Sequence, residues 1–215
     1  MVHHISFTFP SPLYTIADTL GRSELSVVEL AQKLCAGGAR VLQLRVKQMS
    51  SRAFLAVAQD VRDICRQYDC VLIINDRADV ALAVNADGVH VGQEDIPLEA
   101  ARKVLGPNKI IGVSTHDPEQ ALLAERGGAD YIGFGPLFGT NTKATGYTAR
   151  GLDRLREIRA LVRLPIVAIG GISAERAASV LAAGADAVAM ISDLVLASDV
   201  TAKMGEVLER IQANQ

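Results

Sequence analysis

Long basic runs, long apolar runs and paired cysteines are all missing from this chain of 215 residues. Lys and Arg number 22 against 24 Asp and Glu, a formal net charge of −2, so the electrostatic footprint of a nucleic-acid binder is absent and small molecules are the expected partners. No stretch approaches the roughly 18 apolar residues that a membrane-spanning helix needs. The opening MVHHISFTFPSP has neither a basic start nor a long apolar core, so no secretory signal is expected and the cytoplasm is the default address. Only Cys35, Cys65 and Cys70 occur, and their odd count without C-x-x-C spacing argues against a disulfide framework or a zinc site; reduced core residues are expected. No Pro- or Ser-rich linker divides the chain. No G-x-G-x-x-G turn follows the first apolar run, which removes the usual signature of an open doubly wound sheet, the runner-up fold.

What is present is a repeat of strand and helix. Short Val-, Ile- and Leu-rich runs occur at 13–17, 41–44, 71–74, 88–91, 110–114, 131–135, 165–170 and 187–192. Strands this uniformly apolar are expected where helices cover both faces of a parallel sheet. Between them, segments such as 26–38, 118–128 and 173–184 place apolar residues at i, i+3 and i+4 and end in glycine, the residue that best tolerates a left-handed helix stop. Eight such units predict a single (β/α)₈ barrel over 13–215, preceded by an N-terminal extension, 1–12. The oligomeric state stays open, and a homo-oligomer is compatible with this reading.

In a parallel barrel, the strand ends share one rim, and candidate chemistry collects there. The third run stops in Asn75-Asp76-Arg77 and the fourth closes in Gln93-Glu94-Asp95. Alone, either aspartate reads as a helix N-cap. Together, on one rim, Asp76 and Asp95 suit magnesium, which takes one or two carboxylates plus substrate oxygens and waters. The second run ends in QLRVK; if the strand persists, Gln43, Arg45 and Lys47 point the same way and form a phosphate or pyrophosphate pocket. Ser114 follows the fifth run as a phosphate donor, His116 reads as a structural or ligand-packing imidazole, and His90 as a satisfied core histidine. The Gly- and Thr-rich stretch 135–151 reads as a mobile lid whose Thr140, Thr142 and Lys143 grip a phosphate on closing. Gly170 and Gly171 after the seventh run, with Ser192 after the eighth, match the place where many such barrels bind phosphate.

The motifs QLRVK, INDR, DGVHVGQED, GVSTH, GADYIGFGPLF with TNTK, and PIVAIGGIS occur in the order found in the thiamine phosphate synthase family, which the chain resembles over nearly its whole length. The resemblance implies a transferase that joins hydroxymethylpyrimidine diphosphate to hydroxyethylthiazole phosphate, or its carboxylated form, giving thiamine phosphate and pyrophosphate with magnesium as cofactor. It implies that Gln43, Arg45, Lys47, Asn75, Ser114 and Lys143 hold the pyrimidine diphosphate and that Asp76 and Asp95 hold the metal. Arg45, Lys47, Ser114 and Lys143 would be the catalytic groups. Thr140, Thr142, Gly171, Ile191 and Ser192 would hold the thiazole phosphate. One departure is Asp193, where the family commonly has a small residue; beside a phosphate this carboxylate must point away or cap the last helix. Rival readings are a thiazole tautomerase-like paralogue and a non-catalytic thiazole-phosphate binder, neither of which needs the metal pair.

Overall fold

The computed structural model of the chain describes residues 7–20, 22, 24–139 and 148–213. Eight strands alternate with helices: β1 (Leu13–Ala17), α1 (Val27–Ala36), β2 (Val41–Leu44), α2 (Ser51–Gln67), β3 (Val71–Asn75), α3 (Ala78–Ala83), β4 (Gly88–Val91) and α4 (Leu98–Leu105). There follow β5 (Ile110–Thr115), α5 (Pro118–Arg126), β6 (Tyr131–Phe134), α6 (Gly151–Leu161), β7 (Ile166–Ala168), α7 (Ala174–Ala182), β8 (Ala187–Met190), the single turn α8 (Ser192–Val195) and α9 (Val200–Gln212). Every strand is parallel to its neighbours, and β1 pairs with β8 at Tyr14↔Ala189, so the sheet closes into a (β/α)₈ barrel. That closure removes the open-sheet alternative.

Each run folds as it does because its two side-chain faces meet different apolar surroundings. Leu42, Leu44, Leu72, Ile74, Val89, Ile111 and Ile132 face outward and pack against the helices in one large cluster. Tyr14, Ile16, Val41, Ile73, Tyr131 and Val167 face inward and fill the barrel. Burying a Leu or Ile side chain in this way stabilises the fold by about 1.5–3 kcal/mol. The helix starts carry ordinary caps: Ser26 opens α1 with a capping box to Glu29, and Asp117 accepts from Gln120 N ahead of Pro118 in α5. The helix stops fall where the sequence places them, on the glycine that ends each segment, Gly184 (φ 107°) among them. The first glycine after α1 and after α5 keeps a negative φ, and the left-handed residue is the second, Gly38 (φ 104°) and Gly128 (φ 81°).

The stretch before β1 is part of the packing. Phe7 and Phe9 stack edge to face with ring centroids 5.0 Å apart, and Phe9 lies 5.2 Å from the ring of Tyr131. Val71 and Ile110, at the starts of β3 and β5, join the same cluster, so these phenylalanines close the barrel at the strand starts. The three cysteines are free and buried, as the sequence predicts. None of the described helices is long and apolar enough to cross a membrane.

Candidate active site

A cavity of about 450 Å³ opens at the strand ends. Its floor is polar and hydrogen-bonded throughout. Tyr14 from β1 and Tyr131 from β6 are both buried inside the barrel, and their hydroxyls lie 2.8 Å apart. Gln43 Nε2 donates to the Tyr14 hydroxyl at 2.9 Å. On the other side, His90 Nδ1 lies 3.0 Å from the Tyr131 hydroxyl, and His90 Nε2 lies 2.9 Å from Ser114 Oγ. Five side chains from five strands, β2, β1, β6, β4 and β5, thus form one continuous hydrogen-bonded chain across the barrel. Buried phenols need such partners. Burial pushes the hydroxyl pKa of both tyrosines well above the ordinary phenol range, so they stay protonated.

Room for this chain comes from two glycines. A Cβ on Gly112 would sit 2.0 Å from Tyr131 Cζ, and one on Gly133 would sit 3.0 Å from His90 Cε1. A side chain at position 112 would therefore displace the Tyr131 ring, and one at 133 would press on His90.

The walls rise from the same strands. Gln43, Arg45, Asn75 and Ser114 line the cavity from β2, β3 and β5; Gly170, Gly171, Ile191, Ser192 and Asp193 line it from β7 and β8, with the apolar Val167, Ile169 and Ile172 flanking the glycines. Gly170 and Gly171 have φ of 102° and 61°, and a Cβ on Gly171 would lie 2.5 Å from Gly139 O, so only glycine fits there. Arg45 is mostly buried and ion-paired to Asp18, which follows β1. The expected alternation beyond Arg45 does not hold: β2 ends at Leu44, Gln48 turns with φ 60°, and Lys47 is exposed and does not line the cavity. Strand geometry therefore brings Gln43 to the cavity, a loop brings Arg45, and Lys47 stands outside it.

Asp76 and Asp95 lie beyond the ends of the adjacent strands β3 and β4, at the same end of the barrel as the cavity, although neither lines it. Asn75 pairs with His90 in register, and Asp76 N donates to His90 O at 2.8 Å. Asp76 has φ 64°, a left-handed conformation that aspartate tolerates better than most residues. Asp95 turns back so that its Oδ2 accepts from Gly92 N at 2.7 Å. Both are partly exposed. His116 lines the cavity with Nδ1 2.6 Å from Gly135 O, as fits a packing role. Asp193 points at the start of α7, where its Oδ2 accepts from Ala174 N at 3.2 Å, so it caps the neighbouring helix rather than the last one. Thr140, Thr142 and Lys143 lie outside the described residues.

Sequence reasoning missed Tyr14, Tyr131 and Asp18, and it undervalued His90. His90 is buried as expected, yet it lines the cavity and joins the polar chain. A signal existed for Asp18, an acid directly after an apolar run just as Asp76 is. For the tyrosines, the signal was the pairing of a large ring with glycines on neighbouring strands.

The model of the family described as thiamine monophosphate synthase matches residues 13–194. The thiamine-phosphate synthase of Chloroflexus aurantiacus is 48% identical over 206 residues, covering 94% of each chain. That of Methanocella arvoryzae is 50% identical over 190 residues, 88% of this chain and 90% of its own. A solved thiamine phosphate pyrophosphorylase from Pyrococcus furiosus superposes with a TM-score of 0.85 at 40% identity, covering 94% of this chain and 96% of its own. With its closed barrel and its cavity at the strand ends, this chain belongs to the thiamine monophosphate synthase family and is an enzyme of the transferase class.

Proposed function

We propose that the enzyme joins hydroxymethylpyrimidine diphosphate to hydroxyethylthiazole phosphate, forming thiamine phosphate and releasing pyrophosphate. One observation carries this reading. A single cavity gathers Gln43, Arg45, Asn75 and Ser114 from the ends of β2, β3 and β5 and Gly171, Ile191 and Ser192 from the ends of β7 and β8, so it offers two groups of anion-binding residues to two anionic substrates. Its volume of about 450 Å³ falls within the range of small-molecule sites.

The chemistry of the donor set fits magnesium: two partly exposed carboxylates in the loops after adjacent strands, hard oxygen ligands that leave positions for phosphate and water. Asp76 and Asp95 would hold the ion, which when bound would neutralise charge on the diphosphate. Arg45, preset by Asp18, adds a fixed cation beside that group. Lys47 and the loop residues Thr140, Thr142 and Lys143 are assigned to closing over the anions, the lysines on the diphosphate and the threonines on the thiazole phosphate.

The buried chain explains how Ser114 would act. Gln43 donates to Tyr14. If each hydroxyl in turn donates onward, Tyr131 donates its hydrogen bond to His90 Nδ1, which fixes the neutral imidazole with its hydrogen on Nε2. That hydrogen then points at Ser114 Oγ, and the serine's own proton is left to face the leaving pyrophosphate. Such a donor is oriented before the reaction begins and costs no reorganisation during it. Departure of pyrophosphate leaves a methylene cation stabilised by the pyrimidine amino group, and the thiazole nitrogen attacks it. The apolar span of Val167, Ile169 and Ile172 keeps water from competing.

Incubation with both substrates should release pyrophosphate with magnesium and not without it. Absence of release with magnesium present would sink the proposal. Electron-withdrawing groups on the pyrimidine should slow the chemical step, and an unchanged or faster step would contradict the dissociative route.

A further inference from the structure

The far end of the barrel holds a cluster that the synthase reading does not use. Cys35 lies in the last turn of α1, Cys65 in the last turns of α2, and Cys70 immediately before β3. Their positions along the chain suggest no metal motif, yet all three sulfurs of the chain's cysteines lie within 4.8 Å of one another. All three residues are buried, at 3%, 1% and 6% exposure. Among the described residues, no fourth His, Cys, Asp or Glu joins the group.

The geometry points to a binding site for a soft, thiophilic cation of the Cu(I) class, held by the sulfurs of Cys35, Cys65 and Cys70. Three sulfurs at ~2.3 Å from a central ion lie ~4.0 Å apart in a planar arrangement, so the triad needs to contract by less than about 1 Å. Thiolate donors select soft ions such as Cu(I). Zinc in a structural site wants four ligands, whereas a three-sulfur site is complete for Cu(I). Binding breaks S–H bonds and forms Cu–S bonds, with the displaced protons passing to solvent; neither sulfur nor copper changes oxidation state. Access lies by the turn at Tyr68 and Asp69, which leads directly to Cys70 and whose Asp69 side chain is 94% exposed. A bound ion would tie α1, α2 and β3 together.

The test is anaerobic titration of the reduced full-length protein against the Cu(I) complex of bicinchoninate. The protein should withdraw one equivalent of Cu(I), and X-ray absorption should find three sulfur neighbours. Cys35→Ser, Cys65→Ser and Cys70→Ser should each weaken the withdrawal by about tenfold or more. Failure of the unmodified protein to take Cu(I) would overturn the inference, as would fewer than three sulfurs around the ion or unchanged affinity in the folded serine variants. Zinc bound as tightly as Cu(I) would overturn the assignment of ion class. If a variant does not fold, the stoichiometry and the absorption spectrum of the unmodified protein still decide.

Discussion

At the strand starts, Asp87, Asp130 and Asp186 each reach across to the preceding strand and accept a backbone N–H, from Leu72, Ile111 and Ile166, at 2.7–2.8 Å. Arg102 and Arg159 brace two of them, at 2.6 and 3.0 Å. At the strand ends, Asp18, Asp76 and Asp95 belong to loops and Asp193 to the short turn α8; Asp95 bonds within its own loop, Asp18 holds Arg45, and Asp193 caps α7. The same side chain therefore does two jobs in one barrel. Acids at the beginning of strands join distant segments of backbone and act as part of the scaffold. Acids at the other end sit at the end of the barrel where the cavity opens, the end at which this fold places its ligand sites.

The largest effect should separate these two ends. Asp76→Asn should lower kcat by about 10²–10³-fold with little change in unfolding midpoint, if its carboxylate serves the diphosphate end as proposed. Asp130→Asn should do the reverse, removing about 2–3 kcal/mol of stability while the folded fraction keeps its turnover. Pyrophosphate release and urea unfolding measure the pair, and swapped outcomes would break the comparison.

Ser114→Ala comes next, with a loss in kcat of about 100-fold and a smaller change in KM, because the donor acts on the departing group. Tyr131→Phe tests the buried chain that orients it. This change leaves Tyr14 and His90 each short of a partner, so about 1–3 kcal/mol of stability and about tenfold in kcat should be lost while both substrates still bind.

A pH titration sharpens the picture of the floor. Burial raises the pKa of Tyr14 and Tyr131 in the folded state, so their contribution is intact below the unfolded phenol value of about 10 and is lost as pH climbs above it. Phenolate absorbance from these two should emerge together with alkaline unfolding; ionisation well before unfolding would contradict their burial. The smallest effect is expected at Asp193→Ala. Loss of its bond to Ala174 N should cost about 1 kcal/mol, while affinity for thiazole phosphate stays equal or rises as an anion leaves the wall. A large fall in affinity would give Asp193 a role in binding.

Much of the fold was legible locally. The eight apolar runs coincide with β1 to β8 to within a few residues, since a strand covered on both faces must be apolar throughout, whatever its neighbours. Asn75, Ser114 and Gly171 were legible for a related reason: each is a polar or small residue where an apolar run stops. Lys47 shows the limit. Alternation is a rule for strands, and nothing in QLRVK says that β2 gives way after Leu44. Asp193 shows another, because its partner, Ala174, lies 19 residues earlier on a different helix.

By itself, then, the sequence determined the repeating unit, the closed architecture and the rim on which chemistry collects, because hydrophobic periodicity and strand polarity are properties of short segments. Tertiary structure alone decided which rings fill the barrel, that a hydrogen-bonded chain runs from Gln43 to Ser114, and that three scattered cysteines meet. Those outcomes depend on distances between side chains far apart along the chain, and such distances exist only once the sheet has closed.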